Sequence, residues 1–157
     1  MVARASSSRP RVSARAHDAE ATLTRERIVA GATAIADKEG LGALSMRRIA
    51  VELDVATMSL YRHVRDKDEL LILLGDEISG EIPLPRSAGS WKEQLTEIAW
   101  NVRRGLLAHR DAARVLAATP PFGPRRLRHI EAVLRVLRSA GFSRKEAARA
   151  AYHANNF

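Results

Sequence analysis

Apolar side chains recur at helical spacing over most of the chain, and no segment shows the apolar–polar alternation of a half-buried strand. A first helix is predicted from about Leu23 to Glu39. Thr24 is a suitable N-terminal cap, and Gly40 tolerates the left-handed backbone found just past a helix. The face predicted to be buried holds Ile28, Ala32, Ile35 and Ala36.

Two short helices joined by a tight turn are predicted next. Ser45 caps the first of them, and the second runs from about Ala56 to His63. The turn is Asp54-Val55, where Asp54 tolerates left-handed geometry better than most residues. The apolar positions predicted to face inward are Ile49, Leu53, Val55, Leu60 and Val64.

The side chains left on the outside of this pair are mostly polar and suit a DNA groove better than a protein core. Two short helices with a tight turn form a helix-turn-helix, whose second helix enters the major groove while the first crosses the backbone. The residues predicted to point outward are Arg47, Thr57, Met58, Ser59, Tyr61, His63 and Lys67.

Further helices separated by glycine- and proline-rich breaks are predicted after residue 65. Asp66 caps a fourth helix, with Glu69 in capping-box position, and a turn-rich break covers residues 79–89. Ser90 and Glu93 form another capping box. The helix that they open has a predicted inward stripe of Trp91, Leu95, Ile98, Ala99, Val102 and Leu106. Later helices are predicted over 111–118, 124–140 and from about residue 143, so the chain is predicted to be all-α.

Net charge adds little to the DNA-binding interpretation. The chain carries +8, but residues 81–157 hold +8, residues 22–80 hold −2 and residues 1–21 hold +2. The segment expected to touch DNA is therefore not basic overall. Residues 1–21 have almost no large apolar side chain and are predicted to be a disordered basic tail, either simply solvated or an arm that adds phosphate contacts.

Composition also limits the cellular compartment in which the protein is expected and the kinds of reaction that it could catalyse. There is no cysteine, which excludes disulfides and thiolate metal sites, and no apolar run approaches the ~20 residues that span a bilayer. A cytoplasmic protein without a membrane partner is expected. No glycine-rich phosphate loop and no paired-histidine metal spacing occur, so we predict no enzyme activity, no cofactor, no metal and no catalytic residue.

The segment from Leu23 to Ile78 resembles the tetracycline-repressor (TetR) family of bacterial transcription regulators. The resemblance is carried by a first helix ending in Glu-Gly, then by LSMRRIAVEL, ATMSLYRHV and RDKDELL. The residues LYRHV at 60–64 followed by KDELL at 67–71 are highly specific for that family. The resemblance implies a three-helix DNA-binding domain over 22–68 and a helical effector-binding and dimerisation domain over 69–157.

The resemblance also implies residue roles. Arg47, Thr57, Met58 and Tyr61 match positions that meet bases, including the thymine methyl. Ser59, Tyr61, His63 and Lys67 match positions that hold phosphates, and the N-terminal amides of the helix opened by Asp66 and Lys67 favour an anion. Met58 departs from the family pattern, which prefers small or polar residues there, and Asp54 stands where the family prefers glycine.

An effector pocket is expected in the second half, with Trp100, His109, Phe122 and His129 as candidate lining residues. Trp91 and Phe142 suit a core or staple role better. Five arginines, at 103, 104, 125, 126 and 128, either bind an anionic effector or form solvated helix faces. The last helix is rich in alanine and needs a partner helix; the C-terminal domain is interpreted as either truncated or dimerising through a shortened interface.

The resemblance implies a repressor that binds a palindromic operator as a homodimer and is released by a small-molecule effector. The alternative is a structural or truncated DNA-binding protein that responds to no effector. An enzyme is the remaining class and has the weakest support. Expected partners are therefore a double-stranded DNA operator, an effector of unknown identity and a second copy of the chain.

Overall fold

The computed structural model describes residues 23–86 and 89–155, and the predicted tail over 1–21 lies outside them. Over the described ranges the secondary structure is helical, as predicted, and contains no strand. The helices are α1 Arg25–Glu39, α2 Met46–Leu53, α3 Thr57–Leu60, α4 Lys67–Glu81, α5 Trp91–Ala108, α6 Ala112–Ala118, α7 Pro124–Ser139 and α8 Arg144–Asn155. A 3₁₀ turn, Leu41–Ala43, follows α1. No helix in these ranges has the length and apolar character needed to cross a membrane.

Side-chain caps begin several of the helices where the sequence predicts them. Thr24 Oγ1 accepts from the Arg27 amide at 3.2 Å, and Ser45 Oγ accepts from the Arg48 amide at 3.1 Å. At α5 the full capping box forms, because Ser90 and Glu93 accept from each other's backbone amides. Each cap satisfies an amide that has no partner inside its own helix, which confirms these predicted helix starts.

The turn between α2 and α3 is closed by backbone bonds that require a left-handed residue. Asp54 adopts φ 55° and ψ 47°, as the sequence predicts. The Asp54 amide donates to the Val51 carbonyl at 3.4 Å, and the Val55 amide donates to the Ala50 carbonyl at 3.0 Å. This pair of bonds is the Schellman arrangement, which satisfies the last carbonyls of a helix.

Helix α3 is shorter than predicted. Regular helix covers only Thr57–Leu60, not the interval from 56 to 63. The Arg62 amide bonds to Ser59, three residues back, and the His63 amide bonds in the same way to Leu60. Because these bonds span three residues and not four, the last turn is tighter than an α-helix.

One hydrophobic core joins the helix-turn-helix to helices α4 and α6. The predicted inward residues of α1 are buried, and the inaccessible set spans both halves of the chain. Leu53 and Val55 are only partly buried against it. Its largest fully buried members are Ile28, Ile35, Leu44, Ile49, Leu60, Val64, Leu70, Leu74 and Val115. The helix-turn-helix therefore does not pack by itself, since Leu70, Leu74 and Val115 complete its core.

A buried polar junction connects α4, α6 and α7. Asp76 of α4 accepts from the backbone amides of Arg125 and Arg126 at 2.9 and 2.8 Å, and so caps α7 from another helix. The Arg126 guanidinium donates to Thr119 Oγ1 at 2.9 Å and to the Leu116 carbonyl at 2.6 Å. Burial lowers the pKa of Arg126, and Asp76 acts in the opposite direction. Arg126 is thus neither a solvated residue nor an exposed anion site, contrary to both interpretations of its sequence.

The start of α5 packs against the short segment between α7 and α8. The ring of Trp91 meets the ring of Phe142 edge to face, with centroids 5.5 Å apart. Gly141 has φ 94°, and the Phe142 amide bonds back to the Leu137 carbonyl at 3.2 Å. Both rings are half-buried, so the contact matches the staple alternative of the prediction and not the core one.

The junction at Asp76 depends on glycine at position 123, where φ is 124° and ψ is 144°. A Cβ at this position would overlap the Asp76 carboxylate. Gly123→Ala is therefore expected to lower the free energy of unfolding by about 3 kcal/mol, through backbone strain and displacement of the buried carboxylate. Urea unfolding followed by circular dichroism measures this change.

Gly42→Ala is the matched control, because a Cβ there meets nothing within 4 Å. That variant is expected to stay within about 0.5 kcal/mol of the parent chain. Equal stability of the two variants would contradict the role given to Gly123.

Candidate nucleic-acid interface and ligand cavity

The outer face of the helix-turn-helix presents six of the seven predicted DNA-contact residues at least in part. Met58 is 75% exposed and Tyr61 is 44% exposed. Arg47 on α2 and Lys67 at the start of α4 are exposed as well, and Thr57 is half-buried. Hydroxyl, cationic and methyl-contacting groups are the types that proteins direct at phosphates and at the edges of bases.

The structure contradicts the prediction at one residue of this face. Ser59 is buried, at 3% exposure, so the prediction that it points outward is wrong. It precedes Leu60, which is inaccessible, and the short α3 turns both residues toward the core. His63 is half-buried at the end of the turn that follows α3.

Arg25 holds that turn in place, a role that the sequence analysis missed. Its guanidinium donates to the His63 carbonyl from Nε at 3.1 Å and from Nη2 at 2.8 Å. Nη2 also pairs with Glu69 Oε1 at 3.0 Å. Arg25 is therefore a clamp between α1, the end of the α3 turn and α4. The partners lie 38 and 44 residues away, and no local pattern in the sequence signals contacts at that distance.

Neighbouring arginines on α2 have different environments. Arg48 pairs with Glu39 at 2.6 Å and with Glu52 at 2.9 Å, and these carboxylates, Glu39 first, raise the pKa of its guanidinium. Arg47 is exposed on the outer face. Of the two, only Arg47 presents a cation without an adjacent carboxylate pair, as its predicted contact with DNA requires.

The first turn of α4 is capped by its own side chains. Asp66 Oδ1 accepts from the Glu69 amide at 2.8 Å, and this bond lowers the pKa of Asp66. Glu69 Oε2 accepts from the Arg65 amide at 2.7 Å and not from Asp66, so only half of the predicted capping box forms. With carboxylates at this turn, the exposed Lys67 side chain, and not the helix amides, is the group suited to a phosphate.

A cavity of about 700 Å³ lies between helices α5, α6, α7 and α8. Its wall is largely apolar, and its polar side chains are Arg103 and His129. The full lining is Leu95, Ile98, Ala99, Val102, Arg103, Leu106, Leu107, Ala113, His129, Ile130, Val133, Leu137, Ala150 and Ala151. Its size and apolar wall are those of a small-molecule site.

Five of the six residues in the inward stripe predicted for α5 line this cavity, and the sixth, Trp91, packs against Phe142. Of the six, only Ile98 is buried, at 9% exposure, and Ala99 is exposed. Periodicity identifies the face of a helix that meets other helices, but a wall around open space has the same period as a packed core.

Only one of the four predicted pocket residues lines the cavity. His129 does, and its Nε2 contacts the Ser79 carbonyl at 2.8 Å. Trp100 is 56% exposed on the side of α5 opposite Val102, since two residues turn a helix by about 200°. Phe122 is 64% exposed in the loop before α7. The predictions that Trp100 and Phe122 line the pocket are therefore wrong.

His109, the fourth predicted pocket residue, lies at the corner between α5 and α6 and not in the cavity wall. This corner contacts the end of α1 through consecutive residues. The Arg110 amide donates to Asp37 Oδ1 at 3.0 Å, and Asp111 Oδ2 accepts from the Leu41 amide at 2.8 Å. The bond from Leu41 is the largest cause of the lowered pKa of Asp111. The corner thus ties the cavity region to the core of the helix-turn-helix.

Removal of the Arg25 clamp should loosen the turn after α3. In Arg25→Ala the hydrogen exchange of the His63 and Val64 amides is expected to rise about fivefold, because a charged donor to the His63 carbonyl is lost from a partly exposed site. Exchange measured by nuclear magnetic resonance reports each amide. Arg135→Ala removes an exposed arginine of α7 and should leave both rates unchanged; similar rates in the two variants would refute the clamp.

Comparison with known proteins agrees with this architecture. Residues 28–74 match the family model described as bacterial regulatory proteins, tetR family, and residues 83–157 match the model of the tetracyclin repressor-like C-terminal domain. An HTH-type transcriptional regulator of Saccharopolyspora erythraea is 37% identical over 136 residues, which are 86% of this chain and 58% of the relative. The chain spans between 47% and 61% of the lengths of the curated relatives that it matches.

Solved structures show the same fold. ActR of Streptomyces coelicolor in complex with (S)-DNPA superposes with a TM-score of 0.80 at 42% identity, covering 85% of this chain and 66% of ActR. ActR has also been solved with actinorhodin. BioQ with its double-stranded DNA operator superposes with a TM-score of 0.78 at 33% identity, covering 85% of this chain and 80% of BioQ. The chain therefore belongs to the TetR family of bacterial regulatory proteins.

Proposed function

We propose that this protein is a transcriptional repressor that binds a palindromic DNA operator as a homodimer and leaves it when a small molecule occupies the cavity. The observation that carries the proposal is that two features occur together in this fold. One is an exposed surface on α2, α3 and α4 whose side chains suit DNA, and the other is a cavity between helices packed continuously with the helix-turn-helix. Such a protein acts in the cytoplasm, where bacterial DNA is found, and the proposal includes no catalytic step.

The operator surface that we propose consists of Arg47, Thr57, Met58, Tyr61, His63 and Lys67. Arg47 has the donors to read a guanine, and the Met58 methyl suits contact with a thymine methyl. Tyr61 and Lys67 suit phosphate oxygens. Ser59 is left out because it is buried. His63 stays in the proposal through its ring, since its carbonyl is bound by Arg25.

The effector that we propose is a largely apolar molecule with one or two polar groups. Most of the cavity wall is aliphatic, which favours burial of an apolar body. Because a carbonyl only accepts, His129 Nε2 donates to Ser79, and in the neutral ring Nδ1 is then an acceptor. Arg103 supplies a cation at the wall. Support also comes from ActR, a relative solved with the organic ligands (S)-DNPA and actinorhodin.

Release from DNA requires that the cavity and the operator surface be coupled. Helix α4 offers this coupling, because it starts at Lys67 on the operator surface and bonds to the cavity residue His129 through Ser79. We propose that the effector moves α4 and changes the separation of the two recognition helices. In a dimer these helices must lie about 34–36 Å apart to enter successive major grooves.

Selection of bound fragments from the genome that encodes the protein tests the DNA-binding part of the proposal. The expected result is enrichment of a palindrome whose half-site centres lie about one DNA turn apart. The salt dependence of binding to the selected fragments then counts the phosphate contacts. Equal recovery of all duplexes would contradict an operator-specific repressor.

Tyr61→Ala is expected to weaken binding to the selected operator by at least about 100-fold. A dimer loses the contact twice, and each well-placed contact is worth about 1–3 kcal/mol. Fluorescence anisotropy with a labelled operator measures the affinity, and circular dichroism should show unchanged helix content. Phe122→Ala removes another exposed aromatic ring, in the loop before α7, and should bind as the parent does. Retained affinity in Tyr61→Ala would refute the assignment.

Filling the cavity should block an apolar ligand. The probe is 1-anilinonaphthalene-8-sulfonate, an aromatic anion that fluoresces in apolar surroundings. Ala99→Trp places a large ring in the cavity wall, and the dissociation constant of the probe is expected to rise about tenfold.

Ala148→Trp is the control for the added indole, because Ala148 is an exposed alanine of α8 outside the cavity wall. Fluorescence titration should give this variant the affinity of the parent chain. Identical binding by the two tryptophan variants would show that the probe binds elsewhere and would remove the support for a cavity ligand.

A further inference from the structure

One imidazole ring connects three helices at the corner where the cavity region meets the DNA-binding core. His109 follows the last residue of α5. Its Nδ1 lies 2.8 Å from Asp37 Oδ2 on α1, and its Nε2 lies 2.8 Å from Glu81 Oε2 at the end of α4. The side chain of His109 is only 13% exposed, so water offers little substitute for either contact.

The chemistry of the two partners determines the protonation state of the ring. An ionised carboxylate only accepts hydrogen bonds, so each of the two ring nitrogens must donate. Only the imidazolium form carries a proton on both nitrogens. The bond to Glu81 is the largest cause of the raised pKa of His109, and the bond to Asp37 acts in the same direction against the effect of burial.

The other charged groups at this corner do not depend on the proton of His109. Arg110 donates its amide to Asp37 and its guanidinium to the Lys38 carbonyl at 3.2 Å. Asp111 accepts from the Leu41 amide and pairs with Arg114 at 3.2 Å. The corner therefore keeps hydrogen bonds to α1 whatever the protonation state of His109. Among the described residues, its polar link to Glu81 on α4 is the one made by the histidine ring.

The same corner lies next to the cavity in sequence and in space. Leu106 and Leu107, which come shortly before His109, line the cavity, and so does Ala113 at the start of α6. A displacement of the last turn of α5 by a bound molecule would therefore reach His109 directly, and through its two carboxylate partners it would reach α1 and α4.

We propose that His109 is a positioning residue that holds α1 and α4 in the DNA-binding arrangement as an imidazolium, so that loss of its proton loosens the corner and lowers operator affinity. The role in DNA binding rests on the proposed function, whereas the protonated link does not. A group whose pKa is raised by folding stabilises the folded state fully below its ordinary pKa of 6.5. That stabilisation is lost as the pH rises through the higher value of the folded protein.

The protonated link is tested first on the full chain without DNA. Nuclear magnetic resonance of the ring nitrogens should show that His109 keeps both protons at pH values above 6.5, the ordinary pKa of the ring. Asp37→Asn and Glu81→Gln should each lower the pH at which His109 titrates. Titration of His109 at or below its ordinary pKa of 6.5 would overturn the proposal.

Operator binding across a pH series tests the positioning role. The selected operator is titrated at pH values from 6 to 9 into the parent chain, His109→Gln and the control His153→Gln, which changes an exposed residue of α8. Affinity of the parent and of the control should exceed that of His109→Gln about threefold at pH 6, and the ratio should approach one at high pH. Asp37→Asn serves as a second variant should His109→Gln not fold.

The outcomes separate the two proposals. A constant ratio between the parent and His109→Gln at every pH would overturn the positioning role and leave the repressor function standing. Failure of the parent chain to bind any genomic fragment would overturn the repressor function and the positioning role together, while the titration of the ring would still decide whether the protonated link exists.

Discussion

The burial of helix α4 on two sides is the constraint on which the rest of the structure depends. Its apolar residues Leu70 and Leu74 complete the core of the helix-turn-helix. Farther along, Asp76 caps α7 and the Ser79 carbonyl accepts from His129. A helix held on both sides cannot rotate without breaking one of these sets of contacts. Packed cores deform in discrete steps, so a change in the cavity wall is expected to move α4 as a rigid piece.

Buried polar contacts connect the helix-turn-helix region with the helices around the cavity. The junction around Asp76 and Arg126 is fully paired, and in the described ranges no buried side-chain donor or acceptor lacks a partner. Burying charges costs free energy unless they are hydrogen-bonded, so removal of one partner is more damaging than the loss of a single bond. Such networks favour one arrangement of helices over others with equal apolar burial, which is useful in a protein whose helices must keep a set spacing.

Features that depend on a few neighbouring residues could be predicted from the sequence. The caps at Thr24 and Ser45 and the left-handed turn at Asp54 each involve bonds within five residues, and all of them are confirmed. Features that depend on distant partners could not. Ser59 is buried together with Leu60 of the short α3, and the amides of Arg125 and Arg126 that open α7 are capped by Asp76, 49 and 50 residues away. Helical periodicity predicts the inward face of α5, but it does not distinguish a cavity wall from a filled core.

The four-residue length of α3 limits how much DNA sequence one subunit of the proposed repressor can discriminate. So short a helix presents two or three side chains to base edges, and with Arg47 the half-site holds about four readable base pairs. A sequence of that length recurs by chance once in ~10² base pairs. Two such half-sites at a fixed spacing recur once in ~10⁴–10⁵ base pairs, whereas a genome offers ~10⁶ or more competing sites. The symmetry of a dimer would thus supply information that the fold of one subunit lacks, and DNA shape would have to supply the remainder.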